Sequence, residues 1–573
     1  MKIAKITIKN FRSFKSEGIN FQDLMVLIGE NNTGKSNVLK AMDLFFSNIK
    51  TIDEECFNNP EEKITIKILF NGLTPEIKKI HSKYLLDDNE SVLIKKEYYF
   101  NKEIPANVFA LMCQAKVKKD EKNIKEITVL EDIKEYNYNI DKKYYWKENP
   151  FGLKGSVEVG YGPKFLYIPA IKDAKKETES KEFSELINVM LSQIVYDKNF
   201  IENYEKLCSL LVISKDRGDE RLKQIKELEN DLSERLSKYM KNTSMQLDVS
   251  PPNISDFLKK NTRLLINDGL ITSIESKGHG LQRSVIFVIF QAYADSLREK
   301  VKTEKERTQS FIFGIEEPEI YLHPQMQRTL LEILKEISIN DQVIFTTHSS
   351  FFVDVANYKS INIVIKNDQS TGTKITQYTD EIFTDDIEKK EFQLLNEFDP
   401  ERNEMFFGRR VLLVEGDTEK VTFPLVARKM GHQFILHENN ISIIETGGKG
   451  NLILFAKVLN ALKLPYIIIY DEDRYIEEKY EGGCGVCRSR IKSKNESKKR
   501  DFGLNGKIQE VVSSSKGIGK LEMLIPDFEG VCESAGIKIP SKSKPFAAYK
   551  KFKDLSLENI PLCFKEIIKN IYT

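Results

Sequence analysis

Residues 25–46 read Met25-Val-Leu-Ile-Gly-Glu-Asn-Asn-Thr-Gly-Lys-Ser36-Asn-Val-Leu-Lys-Ala-Met-Asp-Leu-Phe-Phe46. Met25 to Ile28 is a short apolar run, and Val38, Leu39, Met42 and Phe45 recur at helical spacing, so the stretch predicts strand, loop and helix. Gly29 and Gly34 bracket four residues, Asn32 among them, and Lys35 and Ser36 follow in the pattern G-x-x-x-x-G-K-S. Such a loop turns its backbone N–H groups onto a triphosphate while the helix N-terminus adds a favourable field. Gly29, Asn32, Gly34, Lys35 and Ser36 are therefore the expected ATP contacts. Lys35 neutralises the β- and γ-phosphates, and the Ser36 hydroxyl takes one position on Mg²⁺.

Outward from this loop, a chain of 573 residues calls for two or three domains. Lys and Arg number 87 against 86 Asp and Glu, so any nucleic-acid surface must be local rather than global. Seven cysteines, at 56, 113, 208, 484, 487, 532 and 563, are an odd, scattered set that fits a reducing cytoplasm better than a disulfide framework. The start, Met1-Lys-Ile-Ala-Lys-Ile, alternates like a strand, and no apolar run approaches membrane-spanning length; a soluble, unexported, cytoplasmic protein is expected.

Strand-like runs follow at Ile64 to Phe70, Val92 to Phe100 and Phe165 to Ile168, whereas 115–147 has no clean period. After Asp173 the composition turns to long charged segments. Leu222, Ile225, Leu228, Leu232, Leu236 and Met240 make one apolar face of a helix of roughly 25 residues. That stripe either packs on its own domain or forms a dimerisation element. Ser250-Pro-Pro252 ends the insertion, since proline cannot continue a helix. A second compact stretch covers 253–390, a charged connector 391–410, and a new α/β pattern opens at Val411.

Phe311-Ile-Phe-Gly-Ile-Glu-Glu-Pro-Glu319 delivers two acids at the end of a buried strand. Glu316 is the candidate to hold Mg²⁺, directly or through water, and Glu317 to polarise the attacking water. Phe345-Thr-Thr-His348 ends the next strand with a histidine placed to sense the γ-phosphate. Ahead of the acid pair lies Ser276-Lys-Gly278-His-Gly-Leu-Gln-Arg283, followed by an apolar helix from Val285 to Ala292. With these pieces the chain resembles the ABC-type ATPase heads of chromosome-maintenance, recombination-repair and OLD (overcoming lysogenization defect) proteins. In those heads a serine-glycine signature meets ATP bound on a partner. The resemblance assigns that role to Ser276 and Gly278, although the usual leucine-serine-double-glycine-glutamine string is absent, and it implies a homodimer or larger closed assembly.

Val411-Leu-Leu-Val-Glu415-Gly-Asp-Thr-Glu419 starts the last domain: a strand ends at Glu415, Gly416 permits a turn, and Asp417 or Thr418 can cap the next helix. Thr446-Gly-Gly448 follows another strand, and Tyr466 to Tyr470 ends in Asp471-Glu-Asp473. In an extended segment residues two apart share a side, so Asp471 and Asp473 are expected to face one metal. Four acids converging without cations repel, each close pair by on the order of 4 kcal/mol at an effective dielectric of about 20, and a divalent ion resolves the conflict.

Glutamate-glycine at one strand end and Asp-x-Asp at a later one resemble a Toprim domain, and the full order resembles the OLD family, Gabija A-like and retron-associated relatives included. The implied fold class is α/β: an ABC-type ATPase domain (1–173 and 253–390) with an inserted helical dimerisation element (174–252), a connector (391–410) and a Toprim domain with a basic C-terminal region (411–573). Residue by residue, the resemblance makes Glu415, Glu419, Asp471 and Asp473 metal ligands, adds Glu529 and less firmly Asp527 from Leu524-Ile-Pro-Asp-Phe-Glu529, and gives Lys544 to the scissile phosphate. It implies ATP and Mg²⁺ or Mn²⁺ as cofactors, DNA as substrate, two-metal phosphodiester hydrolysis and a role in prokaryotic defence against phage. Whether a helicase-like or a reverse-transcriptase/RNA partner is required stays open. Rivals are a repair-type ATPase whose Toprim domain binds DNA without cutting and an ATP-switched sensor that recruits an effector; a topoisomerase or primase lacks its strand-passing tyrosine domain or zinc ribbon here. Arg488 to Arg500 holds seven basic residues and one acid just after the Asp-x-Asp strand, where DNA would enter. Cys484-Gly-Val-Cys487 has no second pair at zinc spacing.

Overall fold

A computed structural model describes residues 1–47, 52–73, 75–80, 82–86, 90–100, 107–113, 124–126, 144–148, 163–170, 198–211, 222–238, 240, 243–247, 249, 264–302, 310–353, 355–366, 371–378, 380–383, 385–398, 400–479, 485–540 and 543–572. The apolar run Leu24–Ile28 is buried throughout and sits inside a six-stranded sheet. The order across that sheet is Lys374–Thr376, Ile361–Ile365, Leu24–Ile28, Gln342–Thr346, Phe311–Glu316, Lys164–Ile168. Every pairing is parallel except that of the Lys374–Thr376 edge. Continuous apolar runs, rather than alternating ones, are what strands covered on both faces require. Register places Thr346 opposite both Glu316 and Leu27. The glycine loop, the acid pair and His348 therefore leave the sheet side by side at the carboxyl ends of adjacent strands, where α/β folds hold their ligands.

A second, seven-stranded antiparallel sheet runs Phe14–Asn20, Lys2–Phe11, Ile64–Asn71, Val92–Tyr98, Asn107–Cys113, Tyr144–Glu148, Ile124–Glu126. Its apolar residues Ile6, Ile8 and Ile66 share one core with Val38 and Phe45 of the helix Lys35–Phe46. The last unit is a four-stranded, all-parallel sheet in the order Ile441–Glu445, Arg410–Val414, Tyr466–Asp471, Gly519–Leu524. Helices Asp417–Met430, Lys449–Ala461 and Gly485–Ser513 make the crossovers that parallel neighbours need.

Residues 391–410, charged in sequence, carry more structure than a connector. Helix Asp386–Phe398 and the turn Pro400–Phe406 join the two parallel sheets. Phe392 meets Phe455 edge-on at 5.0 Å, and Asn403 donates to the carbonyls of Ser350 and Val353. One buried cluster thereby runs from Val26 and Phe345 through Phe392 and Phe406 to Val411 and Leu413.

Within 174–252, helices Lys198–Ser209 and Lys223–Ser237 are described; the second has 15 residues, shorter than its apolar period predicted. None of its residues is buried, and Leu222, Leu228 and Met240 stand exposed. The expected boundaries at Asp173 and Ser250-Pro-Pro252 lie outside the described residues. No helix among the described residues is long and apolar enough to cross a membrane.

Candidate functional site

Gly29 and Gly34 have φ of +147° and +109°. A Cβ on Gly29 would lie 2.3 Å from the Val364 carbonyl oxygen, and one on Gly34 would lie 2.6 Å from Ser13 Oγ, so close approach as well as conformation demands glycine. Lys35 opens the helix Lys35–Phe46, is buried, and donates to the carbonyls of Gly29 (3.0 Å) and Glu30 (2.8 Å). Burial brings its ammonium down to about 8, against the pull of Glu317 and Glu319. Asn32, at φ +62°, is exposed and Ser36 half-buried.

Glu316 ends its strand buried. Tyr167 donates its hydroxyl to Oε1 (2.9 Å) and the Ala170 N–H reaches Oε2 (3.2 Å). Each oxygen accepts one hydrogen bond, which fixes the carboxylate and leaves a lone pair on each oxygen for a metal or its water. Glu317 follows at φ +44°, its N–H donated to the Thr346 carbonyl (3.0 Å) and its carboxylate 3.9 Å from His348 Nε2. Burial, then Lys35, lowers the His348 pKa, which leaves the ring neutral at pH 7. Glu319, two residues beyond the acid pair, carries no spacing signal of its own in the sequence. It is buried, and its Oε1 accepts from Thr347 Oγ1 and the His348 N–H, both at 2.8 Å; among the described residues Oε2 has no hydrogen-bond partner. Burial raises its pKa.

Ser276 and Gly278 are exposed just ahead of the helix His279–Lys302, which starts earlier than its apolar stretch implied. Arg283, in the same segment, is buried and donates to the carbonyls of Pro169 (3.2 Å) and Glu316 (3.4 Å).

At the second sheet, Glu415 follows its strand directly and accepts from the Asp471 N–H at 2.8 Å. The helix Asp417–Met430 is not capped by Asp417 or Thr418. Gly416 is its cap residue, and Glu419 reaches back to accept the Gly416 N–H at 3.1 Å, which is what buries Glu419. Asp471 ends its strand and accepts from the Phe528 N–H at 2.9 Å. Asp473 does not continue that strand: its φ is +52° and its N–H goes to the Pro526 carbonyl at 3.1 Å. Alternation along an extended segment therefore does not align it with Asp471.

A cation bridges the Asp473 carboxylate to the Asp471 backbone. Lys449, buried at the start of helix Lys449–Ala461, sits 3.0 Å from Asp473 Oδ2 and also donates to the Asp471 carbonyl. Gly447 and Gly448, at φ +80° and +133°, make the turn that aims it. The acids thus do not converge without cations: Lys449 is one, and Lys544, 2.6 Å from Glu529 Oε1, is another. Asp527 caps the helix Phe528–Ser534 through the Gly530 N–H (2.6 Å).

Burial first, then Glu415, Glu419, Asp473 and Asp527, pushes the Asp471 carboxyl up to about 9. Glu415 and Glu419 rise to about 7, each chiefly by burial. These shifts couple the acids into one electrostatic cluster. Among the described residues no three His, Cys, Asp or Glu already form a metal shell. The donors nonetheless fit a hard divalent cation, since they are carboxylate oxygens whose charge the site leaves under-compensated.

The basic run falls on helix Gly485–Ser513. Lys494 and Lys498 both bind Glu478, drawing its carboxyl down to about 2, while Arg490, Lys492, Lys499 and Arg500 are exposed. Cys484 and the side chains of Cys487 and Arg488 lie outside the described residues.

Residues 1–353 match the family described as AAA ATPase domain, and residues 406–473 the one described as overcoming lysogenization defect protein-like, TOPRIM domain. The Old nuclease of Escherichia phage P2 is 26% identical over 486 residues, covering 82% of this chain and 77% of its own. The OLD nuclease of Thermus scotoductus is 23% identical over 491 residues, 82% of each chain. Endonuclease GajA of Bacillus cereus strain VD045 is 24% identical over 484 residues, 82% of this chain and 75% of its own. Among solved structures, an Smc head domain bound to the C-terminal domain of ScpA derived from Pyrococcus furiosus covers 69% of this chain and 99% of its own at 15% identity, with a TM-score of 0.34. With a phosphate loop and acid pair on one parallel sheet and strand-end acids on another, the chain belongs to the AAA ATPase domain family and carries, behind that domain, the Toprim domain of overcoming-lysogenization-defect-like proteins.

Proposed function

We propose that this protein is an ATP-regulated, divalent-metal-dependent DNA endonuclease that works as a homodimer or larger homo-oligomer in prokaryotic defence against phage. The observation that carries the reading is the acid cluster, in which Asp471 is raised to about 9 beside Glu415 and Glu419 at about 7, with Lys449 and Lys544 at its edges. Glu415, Glu419, Asp471, Asp473 and Glu529 would hold Mg²⁺ or Mn²⁺, whose chemistry there is to acidify a water and stabilise charge on the scissile phosphate. Lys449 keeps Asp473 and the end of the Asp471 strand in place. Lys544 exchanges Glu529 for a phosphate oxygen as DNA arrives.

At the other site Lys35 leaves the carbonyls of Gly29 and Glu30 for the nucleotide phosphates, with Ser36 and Glu316 toward Mg²⁺. Glu317 orients the attacking water and the neutral His348 ring stands beside it. The exposed stripe of Leu222, Leu228 and Met240 supports a homodimer, and exposed Ser276 and Gly278 support contact with ATP on the partner head.

The test is supercoiled plasmid with Mg²⁺ or Mn²⁺, with and without ATP, using wild type, Asp471→Ala and Lys35→Ala. Cutting by wild type that Asp471→Ala abolishes is expected. Cutting that survives Asp471→Ala, or binding without cutting by wild type, overturns the nuclease reading. ATP turnover that survives Lys35→Ala overturns the nucleotide site.

A further inference from the structure

Lys449 reaches the acids from a turn that is permissive by composition. Strand Ile441–Glu445 ends, Thr446, Gly447 and Gly448 turn the chain, and Lys449 opens the next helix. Gly447 and Gly448 stand at φ +80° and +133°, in a region that glycine enters and leaves at little cost. Thr446 pins the start of the turn by giving its N–H to the Val414 carbonyl at 3.0 Å. The next grip comes from outside the sheet.

Arg402 supplies it. Nε donates to the Glu445 carbonyl (2.9 Å), Nη2 to Glu445 Oε2 (3.1 Å) and Nη1 to the Leu395 carbonyl (2.7 Å). The guanidinium also lies against the turn itself, since a Cβ on Gly447 would come within 3.4 Å of Nη2. Only 11% of the Arg402 side chain and 14% of that of Glu445 are exposed, so the pair is shielded from water and its attraction is correspondingly strong.

Arg402 is held in turn by the ATPase side of the molecule. It precedes the matched Toprim segment, which begins at residue 406. Its neighbour Asn403 donates to the carbonyls of Ser350 (3.1 Å) and Val353 (2.9 Å), just beyond His348. Helix Asp386–Phe398, whose Leu395 carbonyl accepts from Arg402, also holds the body of the Lys449 helix: Phe392 meets Phe455 at 5.0 Å, and Glu388 pairs with Lys457 at 2.8 Å. Residues of the connector thus fix both the body of that helix and the turn that leads into it.

Resting on the nuclease reading above, we propose that Arg402 is a positioning residue of the nuclease, acting through Glu445 and the glycine turn to hold the Lys449 ammonium against Asp473 and the Asp471 carbonyl. The acid cluster is then completed from the connector and not by the Toprim fold alone. Arg402 orients Lys449 and takes no part in bond breaking.

The experiment measures plasmid cutting in Mn²⁺ by full-length protein carrying Arg402→Ala, Arg402→Lys or Glu445→Gln, each alone and together with Lys449→Met. Arg402→Ala should lower kcat by about 10- to 100-fold, as for a misplaced group at a reacting centre, with KM for DNA changed by less than about threefold. In the Lys449→Met background the same substitution should cost less than about threefold, because residues that act through one another are not additive. Arg402→Lys should keep more cutting than Arg402→Ala, since an ammonium retains a cationic donor for Glu445. Glu445→Gln preserves the backbone carbonyl and the side-chain volume, so it should lower kcat by a smaller factor, and it decides the matter if Arg402→Ala melts below the assay temperature. Independently of cutting, Mn²⁺ should raise the melting temperature of Arg402→Ala more than that of wild type, as for Lys449→Met. Full additivity with Lys449→Met, a loss confined to KM, or a wild-type Mn²⁺ shift in Arg402→Ala overturns the positioning role and leaves the nuclease reading standing. A wild type that cuts no DNA overturns both.

Discussion

Arg409 grips Glu30 with two parallel hydrogen bonds, Nε to Oε1 at 2.6 Å and Nη2 to Oε2 at 3.0 Å, and Asn440 adds Nδ2 to Oε1 at 3.0 Å. Glu30 belongs to the glycine-framed loop 29–34, and its carbonyl is one of the two that hold Lys35. Arg409 directly precedes the strand whose far end gives Glu415; Asn440 directly precedes the strand that leads to Lys449. The two strands pair in parallel, so both ends of the link are fixed in one sheet. Arg409→Ala should blunt the response of cutting to ATP by up to about fivefold with ATP turnover changed by less than about threefold, because an exposed pair of this kind contributes only about 0–1 kcal/mol. Arg409→Lys should restore part of the response, since one ammonium cannot reproduce the bidentate grip. A full ATP response in Arg409→Ala would show that the nucleotide acts by another route.

Lys449 offers the most direct test of the acid cluster. Lys449→Met removes a buried ammonium from between Asp473 and the Asp471 carbonyl. Metal-free protein should lose about 1–3 kcal/mol of stability, the cost of leaving buried partners unsatisfied, and cutting should fall by more than about tenfold. Saturating Mn²⁺ should recover more melting temperature in the variant than in wild type, since the ion then supplies the missing positive charge. An equal metal-induced shift in both proteins would place Lys449 outside the cluster's charge balance.

The raised carboxyls set a pH dependence with a definite sign. Asp471, at about 9, and Glu415 and Glu419, at about 7, bind protons in the native state that the unfolded chain has already lost. Their contribution is complete below the unfolded value near 4 and is lost as pH rises first through about 7 and then through about 9. The melting temperature of metal-free protein should fall over that range. Mg²⁺ requires deprotonated ligands, so its stabilising increment should grow with pH. Asp471→Asn should flatten the upper part of the fall; a wild-type-like slope in that variant would assign the shift elsewhere.

Glu319 should matter to ATP turnover without touching nucleotide. Its Oε1 holds both Thr347 Oγ1 and the His348 N–H. Glu319→Ala frees the turn that presents His348, so kcat for ATP should fall by about 10- to 100-fold with a smaller change in KM, as for a misplaced catalytic group. A change confined to KM would make its role one of nucleotide binding.

Strand ends are legible in the sequence because they rest on short-range periodicity and spacing. The buried run before Gly29, the acid-tipped strand at Glu316 and the acids at Glu415 and Asp471 lie where those patterns predicted, because a buried strand ending in a turn is written in consecutive residues. The arrangement of Asp473 was not legible. Whether a residue two beyond Asp471 shares its side depends on the strand continuing, and the left-handed backbone at Asp473 ends it. Lys449 and Glu319 were within quoted or adjacent stretches, but a lysine or glutamate shows no period of its own.

By itself the sequence determined a glycine-framed loop between a buried strand and a helix, an acid pair at one strand end and further acids at others, since each is a local pattern of glycine, charge and apolar run. Only the tertiary structure decided how they meet. Lys449 among the acids, Phe392 and Met405 buried under a charged-looking connector, and Arg409 on Glu30 join residues 24, 63 and 379 positions apart or bury apolar side chains beneath a polar surface. Contacts at such separations follow from sheet order and register, which no local spacing encodes.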